Sequence, residues 1–529
     1  MKRKIFIYTL IGIFCFTGKY TFAQISEGGT PISFSSDMVT GKGKIPLIAM
    51  PSIDARTLLQ EDEMARAENA QIPFRFGKDI DVDIDIKKDG IKKETRDGGN
   101  LWLLQIHCPE AFSINLIYDR FKLAEGSKFF IFNEDRTMIL GAYTPEVSNN
   151  QYNEFATDLI QGNTIILEYY EPKFSENGVI HISKVIHGYV NTFDDSRGLG
   201  DSENCHNDVI CQQWNNWINE RRAVTLILVD NNTTFCSGCL VNNTSQDFTP
   251  YILTANHCYF NSDGSAKRNP STNIFRFFYW RPNCVAGSNI GAGTPIGWQS
   301  ITGATLRAHH SATDFVLLQL NTRPPTYWNV YYAGWDRTAT PAQSSTCIHH
   351  PRGDAMKITV DNHAATIENN YDPPGGNGPA NCWRVFWDSG STQTGSSGSP
   401  LFNVSHRIVG QLYGGTASCS NPSGHDNFGR FHLSWTGDNT DATRLDNWLA
   451  PGLGNNAPQM LDGIVQTCTT TLSNTSITSN TTIYACLSVT NTFQNVTVLN
   501  GAKLTVISNG SEVILSNFEV VAGSQLEIQ

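Results

Sequence analysis

Gly395-Ser396-Ser397-Gly398-Ser399-Pro400 lies between two apolar runs, Val385-Phe386-Trp387 and Arg407-Ile408-Val409-Gly410-Gln411-Leu412-Tyr413. Glycine on each side of Ser397 permits a tight, exposed loop, because a residue without Cβ adopts backbone conformations closed to others. Its backbone N–H groups, from Gly395 and Ser397, can converge on an oxyanion. The competing reading is a flexible Gly/Ser linker continuing Thr392-Gln393-Thr394. Apolar strands on both flanks argue against it.

Serine hydrolyses an unactivated acyl bond only beside a base, with a carboxylate to orient that base. Upstream, Thr254-Ala255-Asn256-His257-Cys258 follows the apolar run Tyr251-Ile252-Leu253. No second His or Cys stands at metal-ligand spacing from His257, and Cys236 lies upstream where a disulfide partner is expected. Asp314 heads the apolar strand Phe315-Val316-Leu317-Leu318-Gln319-Leu320. An Asp there is often a turn or cap residue. Where a strand enters a core, it is also how a carboxylate is held buried against a histidine.

The chain has 529 residues, which at ~150 residues per domain predicts three to four domains. Only 16% of residues are charged and glycine occurs 44 times, a composition suited to turn-rich β structure. A net charge of -11 provides no basic footprint for phosphates, so nucleic acid is set aside as a partner. Lys2-Arg3-Lys4, the apolar run Ile5 to Phe16 and Thr21-Phe22-Ala23 read as a signal peptide over 1–23, hence a secreted protein. No later run is long enough to span a membrane. Of 13 cysteines, Cys15 falls in that leader; the remaining even number favours disulfides in an oxidising compartment.

Residues 24–197 read as a β-rich unit. Asp79 to Ile86 alternates acidic and β-branched residues, the period of a strand, and a calcium loop starting at Asp81 would need glycine where Ile86 stands. Leu101–Ile106, Phe129–Phe132 and Thr164–Tyr170 continue an antiparallel sandwich. The polar segment from Asp194 to Ser202 reads as a linker, with Arg197-Gly198 or Leu199-Gly200 as the bond for processing. Residues 198–465 form a unit of enzyme size, closing in an amphipathic segment around Arg444–Leu449. In 466–529, short strands separated by Asn500-Gly501, Asn509-Gly510 and Ala522-Gly523 suggest a small stacked β unit, either a spacer or a means of cell-surface attachment.

The His257, Asp314 and Ser397 pieces resemble the chymotrypsin-like serine endopeptidases, and more closely the bacterial lysyl endopeptidases, from about Cys205 to Ile464. Further matching strings include Cys236-Ser237-Gly238, Ala333-Gly334-Trp335-Asp336-Arg337, Ile348-His349-His350-Pro351 and Ser434-Trp435-Thr436-Gly437. The resemblance implies an all-β fold. A chymotrypsin-like double β-barrel catalytic domain carries the triad in its cleft, after a β-sandwich-like propeptide domain and before a small stacked-β C-terminal domain. His257 would be the base, Asp314 its orienter, Ser397 the nucleophile, and Gly395 and Ser397 the oxyanion donors. It also implies disulfides Cys205–Cys419, Cys211–Cys284 and Cys236–Cys258.

Cleavage after a basic residue needs a buried carboxylate in the specificity pocket, since a desolvated ammonium without a partner is costly. Trypsin's aspartate stands six residues before the nucleophile, and Ser391 occupies that place. Asp388 lies on the same approach. By resemblance to lysyl endopeptidases, Asp426 binds the Lys ammonium, with an Asx turn before Phe428 as the structural alternative. Tyr413, Gly414 and Gly415 would pair with the substrate backbone, and Tyr413 replaces a histidine of the family. Ser396 replaces the aspartate by which chymotrypsin-like zymogens bind a new N-terminus. Activation by that ion pair is therefore not expected; a propeptide that assists folding or blocks the cleft is.

His309-His310 and His349-His350 look metal-like, but adjacent histidines on a strand face opposite ways. The expected enzyme uses no metal and no cofactor, and its partners are protein or peptide substrates. Two other readings stay open: the same chemistry with Arg or another residue preceding the cut, and an inactive protease scaffold serving adhesion. Cys347–Cys382 and Cys468–Cys486 complete the expected pairings, leaving Cys108 and Cys239.

Overall fold

The computed structural model describes residues 26, 28–35, 39–40, 43–67, 73–145, 152–175, 177–193, 202–267, 269–284, 295, 297–373, 376, 378–466, 471–479, 481–484, 491–507 and 513–528. The leader and both linker bonds lie outside these residues, as does the Cys468–Cys486 pair. The fold is mostly β. No described helix is long and apolar enough to cross a membrane.

Two sheets face each other in the N-terminal unit. One runs in the order 39–40, 91–95, 100–107, 164–171, 128–133, 139–143, with Leu47–Ala49 alongside Asn100–His107 as its parallel member. The other runs 155–156, 113–122, 179–188, 77–85. Alternate residues of both, such as Leu104, Ile106, Leu116, Tyr118, Ile165 and Ile182, fill one core. The acidic alternation is a strand, Gly77–Asp85. Lys184 on the neighbouring strand engages the Asp79 and Asp81 carboxylates, and His181 engages Asp83.

From 224 to 320 the sheet order is Gln299–Thr302, Ile274–Phe277, Val224–Val229, Thr234–Val241, Tyr251–Ala255, Phe315–Leu320, Ala304–His310. The two ends of this path are joined by Gly303 alone, which curls the sheet toward closure. Here φ is +90°, and a Cβ would lie 2.7 Å from Ser271 O, so a side chain is excluded. A ten-stranded sheet follows, centred on Ser345–His349, Pro400–Phe402, Ile408–Gly415, Asp426–Arg430 and Ala380–Val385. The two sheets share a core in which Leu240, Phe315 and Leu317 meet Ile348, Phe402 and Ile408. The two sheets have eight and ten strands. The first gains Phe74–Arg75 from the N-terminal unit, and the second gains short edge strands such as Asn207–Asp208 and Met460–Leu461.

Disulfides form between Cys205 and Cys419, Cys211 and Cys284, and Cys236 and Cys258, the pairs that the resemblance implies. The expected Cys347–Cys382 bridge does not form. The strand of Cys347 and that of Cys382 are separated in the sheet by Pro400–Phe402, Ile408–Gly415 and Asp426–Arg430, too far for a disulfide. Cys108 and Cys239 are buried free thiols. The amphipathic segment around Arg444–Leu449 forms a helix of four residues, Asp446–Leu449.

The C-terminal unit has two parallel three-stranded sheets, Thr471–Ile477, Asn491–Val498, Val513–Val520 and Thr481–Tyr484, Lys503–Ile507, Gln525–Ile528. Asn500-Gly501, both at positive φ, carries the chain from one sheet to the other rather than closing a hairpin. Asn474, Asn495 and Asn517 stack as an amide ladder, with Asn495 donating to Asn474 at 2.9 Å and Asn517 to Asn495 at 3.0 Å.

Candidate active site

Every residue of the strand Tyr251–Ala255 is buried, and it ends in a single 3-10 turn, Asn256–Cys258. His257 sits in that turn, which the Cys236–Cys258 disulfide ties to the adjacent strand. Asp314 holds a left-handed backbone (φ 50°, ψ 37°) just before the strand Phe315–Leu320, which aims its carboxylate back at His257. Oδ1 accepts the His257 backbone N–H at 2.9 Å, and Oδ2 meets His257 Nδ1 at 2.9 Å. Both side chains are 1% exposed. Burial raises the Asp314 carboxyl above its ordinary range, opposed by the histidine and the Lys267 charge. An ionised carboxylate only accepts, so with Asp314 ionised the Nδ1 N–H is the donor of this pair. His257 Nε2 is buried and without a hydrogen-bond partner.

The Ser397 loop is stitched to the strands that present His257. Ser237 N donates to Ser397 O at 2.8 Å, Ser237 Oγ to Gly395 O at 3.0 Å, and Thr254 Oγ1 to Ser237 O at 2.8 Å. Gly395 and Gly398 have φ of +95° and +83°. A Cβ at Gly398 would lie 2.2 Å from Thr254 Oγ1 and 2.7 Å from Ala255 N, which places the loop flush against the approach to His257. Among the described residues, neither the Gly395 nor the Ser397 N–H donates a hydrogen bond.

Ser396 is fully buried, its Oγ 2.7 Å from His349 Nδ1 and accepting from Gln393 N at 3.2 Å. Burial lowers His349 well below the usual imidazole range, so this contact is between neutral groups. Gln393 Oε1 in turn takes His206 Nε2 at 2.9 Å. Ser396, His349, Gln393 and His206, whose imidazole burial lowers to about 4, thus form one neutral network.

Asp426, 1% exposed, accepts from Trp387 Nε1 at 2.6 Å and Thr392 Oγ1 at 2.7 Å, both on Oδ2. The backbone N–H of Ala417 is a further partner. None of these bonds is an Asx-turn bond to Phe428 N. Burial pushes the carboxyl up to about 6. Asp388 instead accepts the Asn362 N–H at 2.7 Å. A Cβ at Gly415 would lie 2.1 Å from Asp426 Oδ1, so a side chain there would cover the carboxylate. Gly415 and Gly414 pair with Asp426 and Asn427, while Pro400–Phe402 accompanies this strand only as far as Gln411. The buried ring of Tyr413 lies 5.6 Å from that of His257, and its hydroxyl donates to Gly378 O at 2.7 Å.

Sequence reasoning missed Trp387, Thr392, Gln393 and Lys267, whose Nζ donates to His257 O at 2.6 Å. Thr392 and Gln393 adjoin the Ser397 loop but read as linker composition; Lys267 sits in a polar loop with no motif to mark it.

Residues 199–429 match the family model described as "Lysyl endopeptidase, C-terminal domain". A curated relative from Pseudomonas aeruginosa, named lysyl endopeptidase, is 30% identical over 292 residues, covering 51% of this chain and 58% of its own length. The chain therefore spans less than two thirds of that relative. Similar solved structures include the active form of the Rv3671c protease from M. tuberculosis, with 15% identity, 40% of this chain, 78% of that chain and a TM-score of 0.26. A serine endoprotease from Yersinia pestis has 16% identity, 41% of this chain, 61% of that chain and a TM-score of 0.26.

Proposed function

The chain resembles the lysyl endopeptidases across residues 199–429, and from that premise we propose that it is a secreted serine endopeptidase cutting after basic residues, Lys above all. One observation carries this reading. His257 is bonded through Nδ1 to a buried Asp314 while its other ring nitrogen is left without a partner, on a turn against which the Ser397 loop packs.

In the proposed reaction, a peptide lies along Tyr413, Gly414 and Gly415 with its Lys side chain at Asp426. His257 Nε2 takes the Ser397 Oγ proton as the oxygen attacks the carbonyl carbon. The oxyanion receives the Gly395 and Ser397 N–H groups, which have no acceptor to give up among the described residues. His257 then protonates the leaving amine; water, deprotonated by the same Nε2, attacks the acyl carbon, the bond to Ser397 Oγ breaks, and His257 returns the proton to that oxygen as the acid product leaves. Asp314 keeps the ring in the required tautomer and stabilises the transient imidazolium.

The proposal divides the chain into a signal peptide (1–23), an N-terminal unit removed from the catalytic chain by cleavage (24–197), the peptidase (198–465) and a C-terminal unit (466–529) for surface attachment. An active-site phosphonate should label wild type and not Ser397→Ala. Cut sites mapped on an unstructured protein should follow Lys. Labelling that persists in the variant, or cuts without preference for basic residues, would overturn the reading.

A further inference from the structure

We propose that Gln411 of the second sheet, seated over Gly429 and helped by Ser434, is a positioning residue for Asp314: it grips the peptide group just before Asp314 and so fixes the direction of that carboxylate. The inference rests on the reading of Asp314 as the orienter of His257.

The turn Ser311–Thr313 joins the strands Ala304–His310 and Phe315–Leu320 of the first sheet. Asp314 leaves it at φ 50° and ψ 37°, a left-handed backbone that a residue with a Cβ adopts at a cost. Such a conformation persists where its surroundings fix it. Within the first sheet, Asp314 N donates to Ser311 O at 3.0 Å, and Asn256 N donates to Asp314 O at 2.9 Å.

The second sheet supplies a further hold. Gln411 Nε2 donates to Thr313 O at 2.7 Å. That carbonyl belongs to the planar peptide group that carries the Asp314 nitrogen, so its direction bears on the Asp314 φ. Gln411 is fully buried, and among the described residues its Oε1 has no hydrogen-bond partner. A buried amide oxygen without a partner is destabilising, so packing alone does not account for an amide at this place.

Gly429 faces Gln411 on the neighbouring strand. A Cβ there would lie 1.8 Å from Thr313 O and 2.3 Å from Gln411 Nε2, so the missing side chain is the room in which their bond forms. Ser434, in the helix Phe431–Thr436, places its hydroxyl oxygen 2.9 Å from Thr313 Oγ1. All three contacts come from the sheet that carries the proposed pocket or the helix that follows it. Asp426 opens the strand of Gly429, and Tyr413 stands two residues beyond Gln411 on the strand Ile408–Gly415. His257 and Asp314 belong to the first sheet, whereas the Ser397 loop leads into the second. A bond across the two therefore sets base and nucleophile in register, where a misplacement of about 1 Å is enough to cost about a hundredfold in rate.

The test is a double-mutant cycle on the full chain, with kcat on Lys peptides normalised to folded protein by circular dichroism. Gln411→Met keeps the side-chain length and removes the donor. It should lower kcat about tenfold with KM unchanged. In the Asp314→Asn background the same change should cost less than about twofold, because an amide holds the ring in the wrong tautomer however well it is aimed. Equal losses in both backgrounds are what a general packing defect gives, and they overturn the proposal; so does Gln411→Met at wild-type kcat. Should Gln411→Met not fold, Ser434→Ala carries the same cycle with an expected loss of about threefold, and additive losses again overturn it. If Asp314→Asn alone costs less than tenfold, the orienter reading fails and takes the clamp with it. If Asp314→Asn is severely slowed and the losses add, the clamp fails and the orienter reading stands.

Discussion

Trp387 donates its indole N–H to Asp426 at 2.6 Å, and the same carboxylate oxygen takes the Thr392 hydroxyl. This gives the proposed pocket a buried acid that is anchored by neutral donors and has no cation of its own among its bonded partners. Burial sets its carboxyl at about 6, so the acid is ionised at neutral pH and waits for a positive side chain.

Asp426→Asn should therefore cost about a hundredfold or more in kcat/KM on Lys peptides, the scale of losing one partner of a buried pair, and little on peptides with a neutral side chain. Paired peptide substrates read the difference. Labelling of Ser397 should remain.

For the wild type, preference for Lys over a neutral residue should fall as pH drops through about 6, since a protonated Asp426 has no charge to offer. The stability linkage has the opposite direction. A raised folded carboxyl favours the fold while protonated, fully so below about 3.8, and that contribution is lost as pH rises through about 6. A selectivity ratio flat between pH 5 and 7 would contradict the role assigned to Asp426.

Asp314→Asn should lower kcat on the order of 10⁴-fold with the fold intact, because an amide can present N–H to the ring and stabilise the wrong tautomer. Circular dichroism beside steady-state rates separates this from unfolding. A loss below tenfold would mean that His257 is oriented by other groups.

Gly398→Ala should destabilise the protein and abolish labelling of Ser397. The new methyl meets Thr254 Oγ1 and the Ser237 and Ala255 backbone at 2.2 to 2.7 Å, and φ is +83°. Neither backbone contact can swing away, so the loop itself must move. Thermal melts and phosphonate labelling report the two effects.

Below neutrality the fold should weaken through His350. Burial lowers its imidazole to about 4, so its contribution is present above about 6.5 and is lost as pH falls from there through about 4. Full protonation would remove about 3 kcal/mol. His350→Asn keeps a donor for Asp354 O, which His350 Nδ1 meets at 2.9 Å, and should flatten denaturant midpoints across pH 4 to 6.5. Unchanged steepness would move the acid sensitivity elsewhere.

What could be read along the chain was whatever short-range sterics dictate. Glycines at 395 and 398 announce a loop that no side chain fits, and the period-2 run Asp79–Ile86 announces a strand. His257 and Asp314 stand at the ends of apolar strands that carry them into the core. Cys347 and Cys382 show where that reasoning stops: each sits on a buried strand, but which strands adjoin is a property of the sheet order. Trp387 beside Asp426, Lys267 on His257 O, His349 on Ser396 and Gln411 on Thr313 O are likewise products of packing between distant segments. Sequence by itself determined which residues bear chemistry and the local backbone that presents them. Tertiary structure alone decided their partners and burial, and hence their charge states, because desolvation and hydrogen bonding depend on neighbours in space that no local pattern encodes.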